Sequence, residues 1–285
     1  MKTKIFSNCV AHLIMVILCL ALLPSSADSE TVIPVPPKFI GTWQVTNVLI
    51  DTGATRRLHV QYNDPALKGR LLTVTSDKLV HDMGFDGSMT GLKVKSMRMG
   101  AAELIRNSMG WRGFDPQIPT PADYGLPLKA NAPVEVFRFV GKEGLWCGGL
   151  GRDGGIMGAW FIVLSDGRLA MRWYDESILI LKRLPANTKP IASFNCVKAK
   201  TSVEKTICGS VELASFDLSI MESYANALLF YKDGDDPEGL RRLKAAQREW
   251  LKKRNACGTD AACLRESMRD QLNVLSEPWK FSPDE

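Results

Sequence analysis

"WFIVLSDGRLAMRWYDESILILKRL", residues 160–184, carries the clearest strand signal in the chain. Asp166-Gly167 is the dipeptide a two-residue hairpin turn demands, because glycine accepts positive φ. Beyond it Leu169, Met171 and Trp173 alternate with Arg168, Ala170 and Arg172, the period of a strand with one wet face. Asp175-Glu176 then turns the chain into "SILILKRL". Upstream, "RLLTVTSDKLVHD" (70–82) reads as another hairpin with Ser76-Asp77 at its tip. Consecutive antiparallel strands of this kind predict a meander that closes into a small barrel or a sandwich, with a β-barrel over residues 36–185 as the expected form. Residues 96–133 interrupt the pattern. They hold a short helix ("AAELIRNSM") and then "DPQIPTPADYGLPLKANAP", with five prolines in nineteen residues. Proline cannot donate to a ladder, so this stretch is expected to run as an excursion over the barrel's mouth or edge.

Past a linker at 186–192 the period becomes helical, over residues 193–277. Thr201 and Glu204 stand at capping-box spacing, where hydroxyl and carboxylate each satisfy a backbone N–H. Ser210 caps the next helix, with an apolar stripe of Leu213, Phe216, Ile220, Tyr224, Leu228 and Tyr231. Asp236-Pro237 opens a third helix, marked by Leu240, Leu243, Trp250 and Leu251. A fourth shows Leu264, Met268, Leu272 and Leu275. The expected architecture is an antiparallel β-barrel followed by a small all-α domain of three to four helices.

The first 27 residues read as a signal peptide. Lys2 and Lys4 precede the apolar run "LIMVILCLALL" (13–23), and Ser25 and Ala27 are small residues at −3 and −1 of a cleavage point after Ala27. The run is too short for a comfortable membrane span, which needs roughly 20 apolar residues. Cys19 lies inside it behind Leu18, which is not the setting of a lipidated cysteine. The expected protein is therefore periplasmic or secreted, with no stable membrane span after cleavage. Without Lys2 and Lys4 the balance is 34 basic against 31 acidic side chains. No run of lysine and arginine is dense enough to suggest nucleic acid as a partner.

Five cysteines lie beyond the leader: Cys147, Cys196, Cys208, Cys257 and Cys263. A zinc site would want short Cys-x-x-Cys knuckles or neighbouring histidines. Here His59 and His81 stand far away in the β half, so no metal is expected. Export makes a disulfide framework the default. Four cysteines allow three pairings. Cys196–Cys208 with Cys257–Cys263 is favoured, because each bond would tie a helix terminus to the adjoining turn. Cys147 is left over as a buried thiol. "DGDDPE" (233–238) lacks the glycine and glutamate of a calcium loop, and "GLGRDGG" (149–155) precedes a strand rather than a helix, so it is no phosphate loop. No catalytic residue and no cofactor are expected.

Three stretches resemble one family. "SFNCVKAKTSVEKTIC", "ELASFDLSIMESYANAL" and "LKAAQREWLKKRNACGTDAACL" are similar to the LprI-type lysozyme-inhibitor domain over residues 193–275, including Gln247, Arg248 and Trp250. Asn195 departs from the aspartate common before the first cysteine, and Met268 from the usual aromatic. The resemblance implies a disulfide-stapled helical envelope domain and, through the family's name, a lysozyme-like muramidase or a cell-wall component as partner. In the β half, Gly41 and Trp43 of "GTW", with Arg183, resemble the lipocalin-like signature in which an arginine packs over the tryptophan closing the barrel. That likeness implies a structural role for the three residues. The expected function is therefore a non-catalytic, lysozyme-inhibitor-type binding protein. The alternative is a carrier or sensor of a small apolar ligand held in the barrel, with the helices as accessory.

Overall fold

A computed structural model describes residues 31–54, 59–83, 88–109, 112, 118–142, 144–147 and 158–277. The expected leader at 1–27 and the glycine-rich run at 149–155 lie outside them. Eleven strands among the described residues are β1 Thr31–Pro34, β2 Gly41–Leu49, β3 Leu71–Val74, β4 Lys78–His81, β5 Met89–Thr90, β6 Lys93–Gly100, β7 Pro133–Gly141, β8 Gly144–Leu145, β9 Phe161–Val163, β10 Leu169–Trp173 and β11 Ser177–Arg183. They form one antiparallel sheet in the order β1-β6-β7-β9-β10-β11-β2-β3-β4-β5, with β8 paired to β7. Helix α1 (Ala101–Ser108) leans on this sheet, and α2 Ser202–Cys208, α3 Val211–Asp233, α4 Pro237–Ala256 and α5 Ala261–Leu275 make up the helical part. No helix among the described residues is long and apolar enough to cross a membrane.

The sheet is not closed, which corrects the expected barrel. Its end strands β1 and β5 do not pair. The β5 end does curl toward β7, with Lys142 N–H donating to Thr90 O at 3.0 Å. Closure fails because β5 is two residues long and β1 runs into Pro34, Pro36 and Pro37, which have no N–H to give.

The turns and the excursion also differ from expectation. Val163 pairs with Leu169, and Leu164 N–H donates to Arg168 O, so three residues rather than two span that hairpin, with Gly167 at φ 81°. This is a type I turn followed by a glycine bulge. Residues 96–100 of the expected excursion belong instead to β6, which is paired along its whole length with β7. The following α1 and the Tyr124–Leu126 region then cover the convex face.

Burial on both faces explains why β10 has no wet side. Leu169, Met171, Trp173, Leu179 and Leu181 point into the concave core with Phe137, Phe139 and Phe161. Ala170, Ile178, Ile180, Ile162 and Trp160 point to the convex face, under Leu104 and Ile105 of α1. Arg172 is buried there too, and its Nη1 donates to Gly158 O at 3.2 Å. Trp160 Nε1 donates to Ser108 Oγ at 2.9 Å, so the ring is buried with its polar tip satisfied. The concave side is filled by interlocking rings: Phe39 lies 4.9 Å from Phe137, Phe139 4.9 Å from Phe161, and Trp146 stacks on Phe161 at 5.5 Å.

Trp43 on β2 pairs in register with Arg183 on the neighbouring β11. The guanidinium lies 4.4 Å from the ring centroid and donates to the carbonyls of Ile40 and Lys38. Trp43 Nε1 donates to Phe39 O at 2.8 Å. Gly41 has φ 137°, and a Cβ there would stand 2.8 Å from Arg183 Nη1, so only glycine fits. The three residues thus meet where β2 begins and β11 ends. Trp43→Ala is expected to cost roughly 3–5 kcal/mol in chemical denaturation, with any binding activity of the folded fraction retained.

Candidate functional site

The helical part is assembled from local signals. Thr201 Oγ1 accepts from Glu204 N–H at 3.1 Å, and the Glu204 carboxylate accepts in return from Thr201 N–H at 2.9 Å. The backbone N–H groups of Thr201 and Lys200, both donating to it, hold the Glu204 carboxyl below its ordinary pKa. Ser210, Asp236 and Asp260 cap α3, α4 and α5 through their side chains. Two disulfides fix the ends. Cys196–Cys208 ties the turn before α2 to its last residue, and Cys257–Cys263 ties the end of α4 to the first turn of α5. Loops this short contribute roughly 2–3 kcal/mol each by chain entropy. Thr259, Asp260, Ala261 and Ala262 stand exposed between the second pair. Cys147 lies outside both bonds and is half-buried, its Sγ 3.6 Å from Leu145 O.

Of the residues that carry the family resemblance, Gln247 and Trp250 line a groove of about 280 Å³ between the linker end, α3 and α4, and Arg248 does not. Trp250 is buried there, with Nε1 donating to Ser267 O at 3.1 Å. Gln247 accepts from Gln271 Nε2 at 2.8 Å. Asp217 accepts from Ser193 N and Oγ, at 2.9 and 2.5 Å, and pairs with Arg254 at 3.5 Å. Arg254 also lies 5.2 Å over the Trp250 ring, and burial lowers its pKa against the pull of Asp217. Each of these groups holds helix to helix. His59 and His81 do not approach one another's function: His59 is exposed beside Tyr174, and His81 packs against Trp146 and Trp173. Among the described residues no cluster of three or more His, Cys, Asp or Glu side chains could hold a metal.

A larger cleft, about 440 Å³, opens between the sheet and α3 and α5. It was not foreseen. At its floor Arg70, on the residue before β3, is 1% exposed and stacks 3.5 Å over the Phe216 ring of α3. Its Nη2 donates to Ser215 and Ser219 Oγ at 3.3 and 3.2 Å, while those hydroxyls donate to Gly69 O and Lys68 O. Serines at four-residue spacing let the turn backbone of Lys68 and Gly69, just before β3, lie against the helix, and Gly69, at φ 81°, has no room for a Cβ. That serine spacing was the readable signal. Asp82 faces Arg70 at 3.9 Å and accepts from Leu71 N–H at 2.5 Å. Burial pushes its carboxyl up to about 6 despite Arg70, and lowers the pKa of Arg70 itself.

Comparison with known proteins bears on the helical part. Residues 196–276 match the family model described as "Lysozyme inhibitor LprI". Proteins named "Lipoprotein LprI" from Mycobacterium bovis and Mycobacterium tuberculosis are 30% identical to this chain over 118 residues, covering 37% of this chain and 56% of theirs. The chain thus spans about half the length of these curated relatives. No solved structure matches it. Nothing in these comparisons supports the lipocalin-like resemblance of the β part.

Two outcomes are expected. Reduction should remove hydrogen-exchange protection from α2 and the α4–α5 turn first, and non-reducing peptide maps should show Cys196 with Cys208 and Cys257 with Cys263. Asp82 binds its proton more tightly folded than unfolded, with a folded pKa near 6 against 3.8. Its contribution to stability is therefore full below about pH 4 and is lost as pH rises through about 6, a span worth on the order of 2–3 kcal/mol. The stability of wild type relative to Asp82→Asn, measured by denaturation, should fall across that window; a flat difference would contradict the assignment.

Proposed function

We propose that this chain is an exported, non-catalytic binding protein of the lysozyme-inhibitor type, acting on a lysozyme-like muramidase through its helical part. The observation that carries the reading is the match of residues 196–276 to the inhibitor family. On this reading residues 1–27 are a leader cleaved near Ala27, residues 36–185 form a supporting unit, and 193–277 the binding unit. Cys196, Cys208, Cys257 and Cys263 serve rigidity; Gly41, Trp43 and Arg183 serve the integrity of the β unit. The α4–α5 turn is the element offered to the muramidase cleft. It is exposed, and its ends are held by a disulfide. A turn already fixed in shape avoids an ordering cost of about 0.5–1.5 kcal/mol per side chain.

Residues 190–285 carry 14 basic and 15 acidic side chains, so the encounter gains little from long-range charge. The carrier reading draws no support from the concave face, where Phe39, Phe137, Phe139 and Phe161 fill the interior. The test is lysis of bacterial cell walls by a lysozyme in the presence of the full chain. Saturable inhibition with weak dependence on salt is expected. Thr259→Arg should weaken it at least tenfold, about 1.4 kcal/mol, without changing the melting temperature. Absence of both inhibition and binding would sink the reading.

A further inference from the structure

The cleft between sheet and helices plays no part in the inhibitor reading, yet its floor is chemically incomplete. Arg70 has five N–H donors. Those on Nη2 are used, whereas Nε and Nη1 reach no acceptor. On Asp82, Oδ1 is used and Oδ2 accepts nothing. Nη1 and Oδ2 stand 3.9 Å apart, too far for a hydrogen bond. A donor and an acceptor thus sit side by side, both buried and both without a hydrogen-bond partner, an arrangement that is unfavourable until a partner completes it.

The chemistry of that pair selects the ligand. An anion would complete Arg70 but be repelled by the adjacent carboxylate. A cation would complete Asp82 but be repelled by the guanidinium. Only a group that accepts and donates at once completes both, and a hydroxyl does so. The walls suit a ring with apolar faces. Leu67, Met83 and Leu272 line the cleft, and Tyr174, 38% exposed, flanks it. At about 440 Å³ the space lies within the range of about 300–1,000 Å³ typical of small-ligand sites.

We propose that this cleft binds a neutral, hydroxyl-rich ligand, a short saccharide, with one hydroxyl accepting from Arg70 Nη1 and donating to Asp82 Oδ2. A pyranose ring lies against Tyr174, its C–H face on the aromatic ring. The site is formed jointly by the sheet and the helical part, so it exists only in the whole chain.

The test is calorimetric titration of the full chain with N,N′-diacetylchitobiose and with maltose, beside inorganic phosphate and acetate. Saturable heat is expected with at least one of the two sugars and with neither anion. Asp82→Asn, which keeps the shape and removes the charged acceptor, is expected to weaken sugar binding by about tenfold or more. Tyr174→Ala removes a partly exposed ring and should weaken it as well without unfolding the protein. No binding of either sugar at millimolar concentration overturns the proposal, and so does binding of phosphate or acetate in their place. Sugar affinity unaltered by both substitutions overturns it equally. The titration contains no lysozyme, so its result stands apart from that of the inhibition assay.

Discussion

Arg70 is the side chain through which the two halves of the chain hold one another. It leaves the sheet just before β3 and ends between two serines of α3, flat against Phe216. A guanidinium is the one cation that can do this, being planar enough to stack and weakly hydrated enough to bury. Because it is buried, its removal would strand Asp82 without its counter-charge, and losing one partner of a buried pair is strongly destabilising. The position of α3 against the sheet, and through α3 that of α2 and α5, depends on this contact. Peripheral ties follow from it: Lys68 meets Glu222 at 3.4 Å, a half-exposed pair of little energetic weight.

Local physics was legible wherever it was local. The capping box at Thr201 and Glu204, the proline after Asp236 and the apolar stripes of α3 and α5 place the helices without reference to anything distant. The hairpin at 70–82 likewise needs only its own residues. The sheet's closure was not legible, because it depends on whether two strands some sixty residues apart in sequence meet. Alternation in "RLAMRW" also misled. A strand covered on both faces can still alternate when one face takes large rings and the other takes Ala170 and the stem of Arg172.

The candidate sites divide in the same way. Gln247, Trp250 and Asp217 could be found by resemblance, yet their contacts join one helix to the next, so their pattern speaks of the fold of the helical part. Arg70 and Asp82 sit at opposite ends of one hairpin, and a hairpin with a charge at each end reads as ordinary surface. Only the serines at 215 and 219, of a size that admits another backbone, marked α3 as a helix with two buried sides. Their partner lies almost 150 residues away, beyond the reach of any period or motif.

An open sheet has margins that a closed one lacks, and a margin is a template on which a foreign strand can grow. Here both margins among the described residues are poor templates. β5 offers two residues, and β1 offers four, followed at once by Val35 between Pro34 and Pro36. A strand docking beside that stretch would find acceptors without matching donors, and the fixed φ of each proline would break its pairing within a few residues. The prolines that keep the sheet from closing on itself therefore also keep it from continuing into another molecule. Resistance to edge-to-edge growth is thereby built into the same few residues.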